Sequence, residues 1–205
     1  PLAGQAVCRV RHGPLVHDVP RLTAGVRASL EYQTAISAVL NVISRSPNTN
    51  QPVLDTIAET SQRLCQSEQC YIFRLAGGRY HLAASRDARP EQIEYLRINP
   101  LALARNSITG RVAIERRTIH LADVLADSEY DLHTTGHRGF RSIVGVPLMR
   151  EGIAIGVIIL TRPVVQPFSE KQIELITTFA DQAVIATENV RLFTETKEAL
   201  ERQTA

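Results

Sequence analysis

From Ser169 to Ala205 the chain contains neither proline nor glycine, and this stretch constrains the fold more than any other. Ser169 suits an N-cap, and Gln172 three residues later completes a capping box. Ile176, Phe179, Ala183, Ala186, Val190, Phe193, Lys197 and Leu200 recur at alternating spacings of three and four, a heptad seam. Ile173, Ala180 and Val184 form a second stripe beside it. A helix of about 32 residues at about 1.5 Å each reaches about 48 Å, longer than a compact domain of this size covers. Its first half is expected to face a sheet and its second half another helix. Lys197 on the seam would weaken such a pair and help to set its register.

The preceding residues alternate between helical and strand periodicity. Residues 1–28, with Pro1, Pro14, Pro20, Gly4, Gly13 and Gly25, keep neither period and read as a linker or arm. Ile36, Val39, Leu40 and Ile43 place an amphipathic helix over 30–46, stopped at Ser46-Pro47 because the residue before proline avoids helical angles. Pro52 suits the first turn of a second helix reaching about Gln66. Cys70–Leu75 and Arg79–Ala83 then read as strands joined at Gly77-Gly78, whose positive backbone angles make a tight hairpin. Short helices are expected after Pro90 and after a Ser107 cap, and Thr118–Val124 reads as extended. Residues 125–140 are polar and read as a long loop. Ser142–Leu148 and Ile153–Thr161 are Val- and Ile-rich strands joined at Arg150-Glu151-Gly152. Pro147 predicts a bulge or a sheet edge there. Hairpins lying between terminal helices argue for an α+β fold, an antiparallel sheet with helices on one face.

Composition sets the class. Apolar residues are 44% and charged residues 21%, which suits a globular chain. The net charge of +2, from 23 basic and 21 acidic residues, argues against an electrostatic nucleic-acid binder. The longest strongly apolar run, Ile153–Leu160, is far short of the roughly 18 residues of a membrane span. Three cysteines, Cys8, Cys65 and Cys70, are too few for a disulfide scaffold and fit a reduced, cytoplasmic compartment.

Several motifs together resemble the GAF domain, a small-molecule sensory module of signalling proteins. They are Ser142–Leu148, Arg150-Glu151-Gly152, Ile155-Gly156-Val157-Ile158, Pro167-Phe168-Ser169, Gln182–Ala186 and Glu188–Phe193. The resemblance spans 30–196 and frames the domains as an arm at 1–28, a GAF-like module at 29–196 and a helical linker at 197–205. It implies a six-stranded antiparallel sheet with the N- and C-terminal helices on one face. A ligand cavity is implied on the other face, covered by residues 98–141. Tyr130, His133, His137, Arg138 and Arg141 are candidates for the cavity mouth. Arginine suits a carboxylate or phosphate, and histidine titrates near neutrality. The alternative is that these residues simply face water.

Other chemistries are weighed against this. Cys65-x4-Cys70 and His133-x3-His137 have ligand-like spacings, yet over 60 residues separate the pairs, so no metal site is expected. Some similar proteins reduce free methionine sulfoxide with pocket-loop cysteines, but 98–141 contains none. A bilin-binding Cys-His pair or Asp-Ile-Pro is absent. Cyclic-nucleotide members carry Asn-Lys and, after a Phe, Asp-Glu; here Gln172-Ile173 follows Phe168. No Gly-x-Ser-x-Gly elbow or phosphate loop occurs. The acidic run Asp123, Asp127, Glu129 and Asp131 reads as a solvated loop rather than a general-acid pair.

Leu30–Ala35 and Leu200–Ala205 share five of six residues at an offset of 170. A short match can arise by chance; otherwise a second, similar module follows Ala205. The expected role is a regulatory, non-enzymatic module with no cofactor beyond an unidentified small molecule. It would be a homodimer through the seam Phe179, Ala183, Ala186, Val190, Phe193 and Leu200, feeding an output domain such as a histidine kinase or nucleotide cyclase. The alternative is a ligand-free dimerisation spacer, with a thiol reductase as a third reading.

Overall fold

The computed structural model describes residues 30–31, 33–39, 41–42, 49–131 and 139–204, so the expected arm lies outside the described residues. Residues 30, 31, 33 and 34 are helical and lie outside the second of two units, which begins at Ala35. That second unit opens with α1, whose described helical residues are 35–39 and 41–42. It continues with α2 (Gln51–Leu64), β1 (Gln69–Ala76), β2 (Arg79–Arg86), α3 (Pro90–Ile98) and α4 (Ile108–Glu115). Next come β3 (Ile119–Leu121), a 3-10 turn (Val124–Ala126), β4 (Ser142–Arg150), β5 (Ile153–Arg162) and α5 (Glu170–Thr204).

Local chemistry sets most boundaries. Pro52 and Pro90 occupy the first turns of α2 and α3, where a missing N–H costs no helical bond. Ser107 caps α4 by accepting from the Gly110 N–H at 3.1 Å. Gly77 (φ +56) and Gly78 (φ +74) turn the first hairpin. At α5 the capping box is formed on both sides. The Ser169 N–H donates to Gln172 Oε1 (3.0 Å), and the Gln172 N–H donates to Ser169 Oγ (3.3 Å).

The sheet is antiparallel throughout, in the order β2-β1-β5-β4-β3. The expectation of six strands is corrected here: the described residues form five. The nearest thing to a sixth is an isolated bridge between Tyr80 and Leu101 on the outer edge of β2. Pro100 precedes it and has no N–H to extend a ladder. Pro147 lies where expected, because β3 pairs only with Ile143–Gly145 and leaves that part of β4 an edge.

Alternation along the strands divides two layers. The back face carries α5, which packs on β4 and against α2, while α2 covers β1 and β2. Leu175, Ile176, Phe179, Ala180, Ala183 and Ala186 of α5 are buried there. The front face carries α4 over β4 and β5. Its core joins Tyr71, Phe73, Ile143 and Val157 of the sheet to Leu96, Ile108 and Val112 of the helices. At 35 residues, α5 is about 52 Å long, and every residue from 191 to 203 is exposed.

Candidate functional site

The front face was the expected place for a ligand cavity, and side chains fill it under α4. A Cβ on Gly145 would meet Val112 Cγ2 at 2.9 Å and Ile108 Cγ1 at 3.0 Å, so α4 rests directly on β4. Tyr71 donates to Gln92 Oε1 at 2.7 Å and Tyr80 donates to the Ala154 carbonyl at 2.7 Å, which fixes both phenols.

Three arginines from outside it fasten the acidic run across this face. Arg141 grips Asp123 with two bonds (2.9 and 2.6 Å), and Arg111 grips Asp127 with two (2.7 and 2.6 Å). Arg105 bonds Glu129 at 2.9 Å and also Glu115 at 3.1 Å. Hydrogen bonds from these guanidiniums hold the three loop carboxyls below the usual carboxylate range. Arg111 is itself buried, donates to the Arg105 carbonyl at 2.6 Å and lies 6.0 Å from the Tyr130 ring centre. Asp123, Asp127 and Glu129 are thus ion-pair acceptors rather than merely solvated groups, and their carboxylates are ionised salt-bridge partners rather than acids.

The predicted mouth residues are placed as follows. Tyr130 is buried with its ring edge-on to Phe140 at 6.1 Å, so it belongs to the front core. Arg141 is partly exposed and engaged by Asp123. His133, His137 and Arg138 lie outside the described residues. Among the described residues no three His, Cys, Asp or Glu side chains gather as a metal site. Cys65 and Cys70 are buried free thiols. Burial pushes the Cys65 thiol up to about 12 and the Cys70 thiol up as well, which makes both poor nucleophiles.

The seam residues of α5 divide. Phe179, Ala183 and Ala186 are buried in their own chain, so the expectation that they form an intermolecular seam is corrected. Val190 is half-buried, and Phe193 and Leu200 are exposed, as are Ile185 and Leu192.

The start of α5 is held by a residue that sequence reasoning missed. Arg162, at the end of β5, is 3% exposed. It donates to the carbonyls of Cys65 (2.6 Å), Gln166 (2.8 Å) and Pro167 (3.1 Å) and to Gln172 Oε1 (3.3 Å). Its guanidinium also stacks 4.1 Å from the Phe168 ring centre. Beside it His120 Nε2 accepts from the Phe168 N–H at 3.0 Å, a bond that needs the neutral imidazole. Burial, then Arg162, lowers the His120 pKa and keeps it neutral. Further along, Arg150 of the β4–β5 hairpin donates to Glu188 at 3.2 Å. The available signal was an arginine ending a buried, mostly apolar strand, where a charge must find partners.

An open cleft of about 420 Å³ lies beside β2, at the end of α3. Arg79, Tyr95, Ile98, Asn99 and Leu101 are among the residues that line it. Sequence reasoning did not single these residues out.

A family model of the GAF domain matches residues 49–187. Among solved structures, the GAF domain of a phosphoenolpyruvate-protein phosphotransferase from Coxiella burnetii is similar at TM-score 0.69 and 18% identity, covering 81% of this chain and 98% of that one. A free methionine-R-sulfoxide reductase from Neisseria meningitidis is similar at 0.68 and 17%, covering 81% and 93%. Residues 122 to 287 of a methyl-accepting chemotaxis protein are similar at 0.62 and 19%, covering 78% and 98%. At these identities the likeness concerns the fold. Among curated protein sequences none matches the chain.

Proposed function

The chain belongs to the GAF domain family, and on that premise we propose that it is a regulatory module that senses a small molecule and relays the event through α5. One observation carries the reading. A single uninterrupted helix starts at a buried latch on the sheet and ends as an exposed, apolar-striped rod. Displacement of the sheet or of the segment before α5 therefore acts on one lever. The part of the stripe left open, half-buried Val190 with exposed Phe193 and Leu200, pairs with the same stripe of a second copy. An output domain in the same polypeptide, of the histidine kinase or nucleotide cyclase kind, takes the signal in the cytoplasm. No helix among the described residues is long and apolar enough to cross a membrane. The ligand acts by preferring one helix arrangement over another. The module is not itself an enzyme, and its two high-pKa thiols support that reading over a reductase.

A second reading, a ligand-free dimerisation spacer, is favoured by the side chains that fill the front face under α4. Native mass spectrometry of freshly purified protein separates the two. A dimer carrying a bound small molecule supports the sensor. A ligand-free dimer supports the spacer, and a monomer sinks both.

A further inference from the structure

We infer that the cleft between β2 and α3 is a binding site for a small monocarboxylate with an apolar body. For its role in signalling this rests on the sensor reading; the binding itself does not. The cleft's 420 Å³ falls within the roughly 300–1,000 Å³ of small-molecule sites.

Its walls are fixed. The Tyr80 N–H donates to the Leu101 carbonyl (2.8 Å) and the Leu101 N–H to the Tyr80 carbonyl (2.9 Å). The Asn99 N–H and Nδ2 both donate to the Tyr95 carbonyl (2.9 and 3.0 Å), closing the end of α3. The cleft's cation stands apart from those across the front face. Arg105, Arg111 and Arg141 each hold a carboxylate. Among the described residues Arg79 has no carboxylate within ion-pair range, and it donates to the Pro100 carbonyl at a long 3.3 Å. A ligand carboxylate would take up the planar fork with two charge-assisted bonds and displace only that one.

Two further features narrow the class. Ile98, on the cleft wall, is 67% exposed, so an apolar ligand body laid along it removes hydrocarbon from water. The C-terminal end of α3 carries the negative pole of the helix, which opposes negative charge, so the attraction must come from Arg79 and each added charge on the ligand costs more. A single carboxylate suits the site better than a phosphate dianion.

The test is a titration of the whole chain with benzoate, followed by backbone amide NMR shifts. Benzamide, the neutral isostere, and the exposed-site variant Arg79→Gln serve as comparisons. The expected result is saturable shifts at Arg79, Tyr80, Asn99 and Leu101, with affinity about tenfold lower for benzamide and for Arg79→Gln. Equal affinity in Arg79→Gln, or no saturable shift, overturns the site. Shifts centred on Tyr130 and Arg141 overturn it too, while leaving the sensor reading standing. A bound molecule found by native mass spectrometry together with no cleft response would likewise refute the cleft alone.

Discussion

The two parts of α5 share one sequence pattern and meet different surroundings. From Leu175 to Ala186 the seam is buried against the sheet and α2, with Arg162 at its start and Arg150–Glu188 near its end. From 191 to 203 the same helix is exposed on all sides. Ala180, Ala183 and Ala186 are buried beside Leu175, Ile176 and Phe179 in the pinned part, which packs on β4. Leu192, Phe193 and Leu200 are exposed on the overhang. The overhang is laced instead by local pairs, Arg191 with Glu188 and Glu195 and Lys197 with Glu201, which support a helix without attaching it to anything. The difference teaches that heptad spacing reports an apolar stripe, while exposure reports what covers it.

The comparison can be broken most severely on the pinned side. Phe179→Ala empties a fully buried ring site and should cost about 3–5 kcal/mol in denaturant unfolding. Phe193→Ala, on the same seam, should change the stability of dilute, monomeric protein by less than about 0.5 kcal/mol. Equal losses at the two positions would erase the distinction. Arg162→Ala takes a buried donor away from four backbone carbonyls, those of Cys65, Gln66, Gln166 and Pro167, and should cost about 3 kcal/mol, with hydrogen exchange at the start of α5 rising most. A loss spread evenly over the domain would show that Arg162 is not a latch.

A smaller effect comes from pH. The folded-state pKa of His120 lies below its ordinary value of about 6.5, so the unfolded chain binds its proton first. Its contribution to stability is therefore complete above about pH 6.5 and is lost as pH falls towards the lowered folded pKa. His120→Gln keeps an acceptor for the Phe168 N–H and should flatten that slope in urea midpoints between pH 7 and pH 5. An unchanged slope would assign the pH dependence elsewhere.

Local chemistry made the elements legible. Gly77-Gly78, Pro90, the Ser107 cap and the Ser169–Gln172 box each act within a few residues, and each appears where expected. The site was less legible because its contacts are remote in sequence. Arg162 meets the Cys65 carbonyl 97 positions away, and Arg141 meets Asp123 18 positions away. An arginine beside a strand announces that it needs partners, not which ones. For that reason Arg141 was expected at a ligand and is held by Asp123, while Arg79 was passed over. The sixth strand came from resemblance alone, since the residues themselves showed five. The seam was legible as a stripe, but the burial of Phe179 in its own chain depends on how α5 lies across β4.

Hydrogen exchange along α5 at a low and a high protein concentration tests the central claim most directly. The account predicts slow exchange through Ile176–Ala186 at both concentrations and slow exchange at 191–203 only at the higher one, where a second copy covers the stripe. Fast exchange of 191–203 at both concentrations, or exchange of Ile176–Ala186 that follows concentration as well, would contradict it.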